Sequence, residues 1–140
     1  FHVTIGKRAV VVTGASTGIG FACVEILTKN GFFVFGSVRK SADAERLQAQ
    51  FGDNFSPLLF DVTDAAALAR AAQEVDARLG GATLAGLVNN AGVAVPGPLL
   101  HLSIADVRNQ LETNLIGQLQ VTQALARGRR RKARRGASSI

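Results

Sequence analysis

The chain has 140 residues, 47% of them hydrophobic and 19% charged, with a formal net charge of +6. That length gives one domain. No apolar run approaches the roughly 20 residues a membrane-crossing helix needs, and no charged stretch followed by a long apolar one reads as a secretory signal. The charge is uneven: residues 1–126 hold nine basic and ten acidic residues, whereas residues 127–140 hold seven basic and no acidic ones. The body is nearly neutral and the basicity is a C-terminal tail.

Lys7–Thr13 reads as a buried strand feeding a glycine-rich turn, Gly14-Ala15-Ser16-Thr17-Gly18-Ile19-Gly20. Gly18–Asn30 then reads as a helix with Ile19, Ala22, Cys23, Ile26 and Leu27 on one face, closed by Gly31. Strand, glycine turn and helix in that order suit a nucleotide pyrophosphate. The glycines let the backbone turn sharply and approach phosphate. The free N–H groups and positive dipole end of the helix hold its charge. The lone Cys23 reads as a small buried hydrophobe; without a second cysteine there is no internal disulfide, which fits a reducing, cytoplasmic compartment.

Phe32–Val38 is a second apolar strand, and Ser41 is placed to cap a helix through about Phe51. A carboxylate near the end of this strand would bind the ribose 2′-hydroxyl of NAD(H). The chain instead reads Gly36-Ser37-Val38-Arg39-Lys40. Arg39 offers a forked donor suited to a 2′-phosphate, Lys40 adds charge and Ser37 a hydroxyl, so NADP(H) is favoured over NAD(H). The plainer alternative is that Arg39 and Lys40 are solvated residues opening a helix.

Pro57 precedes a short strand, Leu58–Phe60, and Asp64 caps a helix through about Leu79. Gly80-Gly81 breaks that helix. Leu84–Asn89 is a fourth strand running into Asn90-Ala91-Gly92. A loop with Pro96, Gly97, Pro98 and a surface His101 leads to Ser103, which caps a long helix to about Ala126. Repeated strand–helix units predict an α/β fold: a doubly wound, Rossmann-like parallel sheet of about four strands and four helices, with residues 1–126 as its domain. No grouping of residues reads as a metal site.

Four of these segments together resemble the short-chain dehydrogenase/reductase family. Thr13 to Gly20 matches its T-G-x-x-x-G-x-G cofactor turn. Asp61-Val62 matches its adenine-contacting pair. Asn89-Asn90-Ala91-Gly92 matches its N-N-A-G motif, and Asn114 matches its catalytic-helix asparagine. The resemblance spans residues 5–126 and implies a dinucleotide site made by Gly14, Ser16, Thr17, Gly18, Ile19, Gly20, Arg39, Asp61, Val62, Asn89, Asn90, Ala91 and Gly92. It implies that Asn114 positions a water in a proton relay. Plainer uses stand beside these: Thr17, Gly18 and Ile19 as an ordinary strand–helix turn, Asp61 as a turn or cap residue, Asn89 and Asn90 as ties between strands, Asn114 as an amide satisfied in the core.

The resemblance implies hydride transfer between NADP(H) and a carbonyl or alcohol, with a Tyr as general acid or base, a Lys four residues on, and a Ser. The chain contains no Tyr, so that pair is absent, and Ser138 and Ser139 take no role. The chain begins at Phe1, has no Met, and stops near where a fifth strand would come. It is therefore expected to be the first half of such a fold, without its own translation start, binding cofactor but inactive alone. An uncovered fourth-strand edge predicts oligomerisation or aggregation. The Arg/Gly-rich tail, 127–140, has three readings: an altered reading frame or gene model, a non-specific basic tail, or a nucleic-acid-binding segment. A non-catalytic dinucleotide-binding or regulatory protein is the alternative function.

Overall fold

The computed structural model describes residues 5–126. The tail at 127–140 and its three readings therefore lie outside the described residues. Within them, strand and helix alternate as β1 (Ala9–Val12), α1 (Gly18–Lys29), β2 (Phe33–Val38), α2 (Ser41–Phe51), β3 (Phe55–Leu59), α3 (Ala65–Leu79), β4 (Gly86–Val88) and α4 (Ile104–Leu111). The four strands are all parallel, in the order β3-β2-β1-β4. From β1 the chain winds outward to β2 and β3, then returns to place β4 on the other side. The turns after β1 and β4 therefore diverge, and such a switch point opens a crevice at the carboxyl edge of a sheet.

The sheet is buried on both faces. Along β1, Ala9 and Val11 pack toward Leu68, Ala71 and Val75 of α3, with Val121 and Leu125 in the same cluster. Val10 and Val12 join Val24 of α1 and Leu47 of α2 in the other cluster. Alternation along an extended strand sends neighbours to opposite layers, so a sheet covered twice needs a continuous apolar run.

Several local expectations shift. In α1 the buried positions are Gly20 and Val24, while Ile19 and Ile26 are 76% and 60% exposed. Gly20 brings the helix backbone against the Gly14 carbonyl and the Asn90 amide, and this rotates the apolar face away from the one read by periodicity. Cys23 is half-buried against the α1–α2 core. Ser41 opens α2 as its first helical residue, with Lys40 at the N-cap and no side-chain cap bond. Asp64 and Ser103 do cap their helices, accepting from the N–H of Ala67 and Asp106, each at 3.0 Å. Gly31 and Gly80 end helices with φ of 82° and 55°.

β3 begins earlier than expected and contains Pro57, paired in register with Gly36. As an edge strand it tolerates a residue without an N–H. β4 is shorter than expected, and α4 does not run on as a plain α-helix. Glu112–Gly117 forms a π-helical segment, and regular helix resumes over 118–126. That segment carries Asn114.

Candidate functional site

The glycine turn is built by β2 and β4. Gly14 takes φ +67°, and its N–H donates to Ser37 Oγ at 3.0 Å while Ala15 N–H donates to the Ser37 carbonyl at 2.9 Å. The Ser37 hydroxyl oxygen expected at a 2′-phosphate is thus engaged with the turn. Thr13, buried, is the hinge to β4: its Oγ1 accepts from the N–H of Asn90 at 2.9 Å and of Ala91 at 3.0 Å. The Asn90 side chain donates to the carbonyls of Thr13 and Gly14, both at 3.1 Å. Gly20 fits beneath: a Cβ there would run into the Gly14 carbonyl and the Asn90 amide. The two motifs hold each other.

Thr17 stands at the N-cap of α1 in extended conformation without a side-chain cap bond, and no acidic residue occupies the first turn. The first N–H groups of a helix have no intrahelical acceptors. Thr17, Gly18 and Ile19 are exposed. This end of α1 accordingly turns uncapped N–H groups and the positive end of its dipole outward.

In front of it lies a cleft of about 320 Å³. Gly14, Ser16 and Thr17 line one side and Ser37, Val38 and Arg39 the next. Asp61, Val62 and Thr63 follow β3, and Asn90 to Val93 follow β4. Of the sequence-predicted residues, Gly14, Ser16, Thr17, Arg39, Asp61, Val62, Asn90, Ala91 and Gly92 are brought together here. Gly18, Ile19 and Gly20 do not line it.

Asp61 Oδ1 accepts from the N–H of Thr63 at 2.9 Å and from its hydroxyl at 2.7 Å. The backbone bond chiefly holds the Asp61 carboxyl below its ordinary value. Partial burial opposes it, and the Thr63 hydroxyl and the Arg39 charge assist it. The carboxylate is anionic and pre-oriented by the loop.

Two expected residues stand apart. Asn89 points to the other side of β4, where its amide donates to Thr122 Oγ1 at 3.0 Å, in a second groove with Leu84 and Leu87. Asn89 and Asn90 are consecutive on extended chain, so their side chains diverge. Asn114 is not a lining residue either. Its Oδ1 accepts from Val93 N–H and its Nδ2 donates to the Val93 carbonyl, both at 2.8 Å. Both ends of the amide clamp the loop after β4, and a Cβ on Gly92 would come within 3.1 Å of Asn114 Oδ1. The π segment brings that amide to the loop.

Asn109 of α4 and Thr113 of the π-helical segment, which no sequence motif singled out, also line the cleft. The signal was present: Asn109, Thr113 and Gly117 recur every four residues, the spacing of one helix face. Gly117 sits against Val62, 2.8 Å from Val62 Cγ2 if it carried a Cβ.

The chain resembles known proteins over nearly its whole length. The family model described as short chain dehydrogenase matches residues 8–137. An NADPH-dependent 3-dehydrocapnine reductase of Ornithobacterium rhinotracheale is 43% identical over 118 residues, covering 84% of this chain and 42% of that protein. A short-chain dehydrogenase from Streptomyces avermitilis superposes with a TM-score of 0.82 at 30% identity, covering 92% of this chain and 47% of that one. The NADPH-bound carbonyl reductase from chicken fatty liver gives 0.79 at 34% identity, covering 86% and 51%. The chain thus spans about half or less of the length of each. Among the described residues, no helix is long and apolar enough to cross a membrane.

Proposed function

The chain belongs to the short-chain dehydrogenase family, and from that premise we propose that it is the NADP(H)-holding portion of an oxidoreductase acting on a carbonyl or alcohol. NADP(H), when bound, supplies or accepts the hydride. The observation that carries the reading is the cleft itself: an uncapped helix start stands beside Arg39, with no carboxylate where β2 ends. An anion fits the first feature and a 2′-phosphate the second. The NADPH-dependent relative and the NADPH-bound neighbour agree with that choice.

The residues divide the work. Thr17 and the backbone beside it receive phosphate, and Arg39 holds the 2′-phosphate. Asp61, kept anionic, accepts from the adenine amino group. Asn90, Thr13 and Gly20 hold the turn to the sheet, and Asn114 holds the loop that follows β4. None of the 140 residues is a Tyr, so the chain offers no phenol as proton donor. We therefore expect it to bind dinucleotide without turning it over.

Titrating the purified chain with NADPH and NADH, followed by nicotinamide fluorescence, tests this. NADPH should bind more tightly. Arg39→Ala should weaken NADPH about tenfold, the loss of one charge-assisted contact, and leave NADH nearly unchanged. Tighter binding of NADH, or no binding of either, refutes the assignment.

A further inference from the structure

We propose that Arg46, outside the cleft, sets the affinity for the dinucleotide as a whole by pinning the glycine-rich turn through the Ser16 carbonyl. The proposal rests on the cofactor reading above. Arg46 stands on α2, and its Nη2 donates to the Ser16 backbone oxygen at 2.7 Å and to Asp43 Oδ1 at 3.1 Å. The first is a short, charge-assisted bond across 30 residues of sequence. The second orients the guanidinium from one helical turn away.

Ser16 sits between two permissive glycines, Gly14 and Gly18, with φ of +67° and +59°. Ala15 is tied to β2 through Ser37, and α1 begins at Gly18. Between those anchors Thr17 makes no side-chain cap bond. The Arg46 contact therefore holds the middle of a segment whose glycines would otherwise let it swing.

The peptide joining Ser16 to Thr17 is planar and trans, so its carbonyl and N–H point in opposite directions. Drawing the Ser16 carbonyl toward α2 turns the Thr17 N–H the other way. Both residues line the cleft and Arg46 does not. Arg46 is thus a positioning residue: it aims a backbone donor at phosphate and leaves recognition of the 2′-phosphate to Arg39.

The test compares the 140-residue chain with Arg46→Ala and Arg46→Lys, each titrated with NADPH and with NADH. Arg46→Ala should weaken both about tenfold, leaving their ratio unchanged. Arg46→Lys, which can still donate to the carbonyl, should recover most of the loss. The melting temperature should hardly move, because the Arg46–Asp43 pair is partly open to solvent, its side chains 45% and 30% accessible. Without any dinucleotide, amide hydrogen exchange at Gly14 and Ala15, whose N–H groups are bonded to Ser37, should quicken in Arg46→Ala. Unchanged affinity and exchange overturn the proposal, as does a loss confined to NADPH or a fall in melting temperature that matches the loss of binding. If the unaltered chain binds neither dinucleotide, the cofactor reading itself fails. Exchange at Gly14 and Ala15 then still decides whether Arg46 pins the turn.

Discussion

Thr13→Val removes one oxygen from the centre of the scaffold and keeps the shape of the side chain. Thr13 is 1% exposed, and its Oγ1 serves two amides, Asn90 N–H at 2.9 Å and Ala91 N–H at 3.0 Å. Its own bond to the Val88 carbonyl is long, 3.4 Å, and adds little. A buried donor left without an acceptor costs about 1–3 kcal/mol. Asn90 and Ala91 are half-buried, so water reaches them in part and the lower end applies to each. The sum is about 2 kcal/mol. Thr13→Ser keeps the oxygen and gives up a methyl group, about 1 kcal/mol. Urea unfolding followed by far-UV circular dichroism measures both, and suits a chain with no Trp or Tyr. The Val variant should lose more stability than the Ser variant with an unchanged slope. If Thr13→Val lies within about 0.5 kcal/mol of the unaltered chain, the hydroxyl is not what joins β1 to the loop after β4.

Gly36→Ala should destabilise by about 1–3 kcal/mol in the same assay, since the new methyl would crowd buried side chains. Its Cβ would lie 2.5 and 2.7 Å from Phe55 ring carbons and 2.8 Å from Ala15 Cβ. For Asp61, the folded-state pKa is below the ordinary 3.8. Its contribution is therefore present above that value and is lost as pH falls through the folded pKa. Acid titrations of stability should show a shallower decline in Asp61→Asn than in the unaltered chain; identical acid limbs would refute it. We further expect self-association through the open side of β4, which is an edge strand among the described residues. A monomer in sedimentation at micromolar concentration with a sharp melt would count against it.

The alternating strands and helices were legible because each leaves a periodic trace, and the caps at Asp64 and Ser103 follow from local chemistry. Less visible was anything set by contact between segments. Gly20 rotates the buried face of α1 because of what lies beneath it, the Gly14 carbonyl and Asn90. The π segment adds residues to a helical turn without altering composition, so Asn114 was legible as a relay asparagine or a core amide on a helix, but not as the clamp its amide forms on Val93. Four adjacent residues, 89–92, matched one motif, yet the extended chain sends Asn89 and Asn90 to different sides. That divergence was deducible from strand alternation, and the face carrying Asn109 and Thr113 from their four-residue spacing.

The two borders of the sheet are not equivalent. Phe60 N–H points inward, donating to the Val38 carbonyl at 3.1 Å. Amides along a strand alternate in direction, which puts the ring nitrogen of Pro57 on the outer border of β3, where a donor is missing. Gln48 further occupies that border, donating to the Phe55 carbonyl at 3.1 Å. The border at β4 has neither device among the described residues. A sheet that can add a strand on one side only cannot propagate. Two copies meeting β4 to β4 across a two-fold axis would close on each other and stop, whereas a fibre needs both borders.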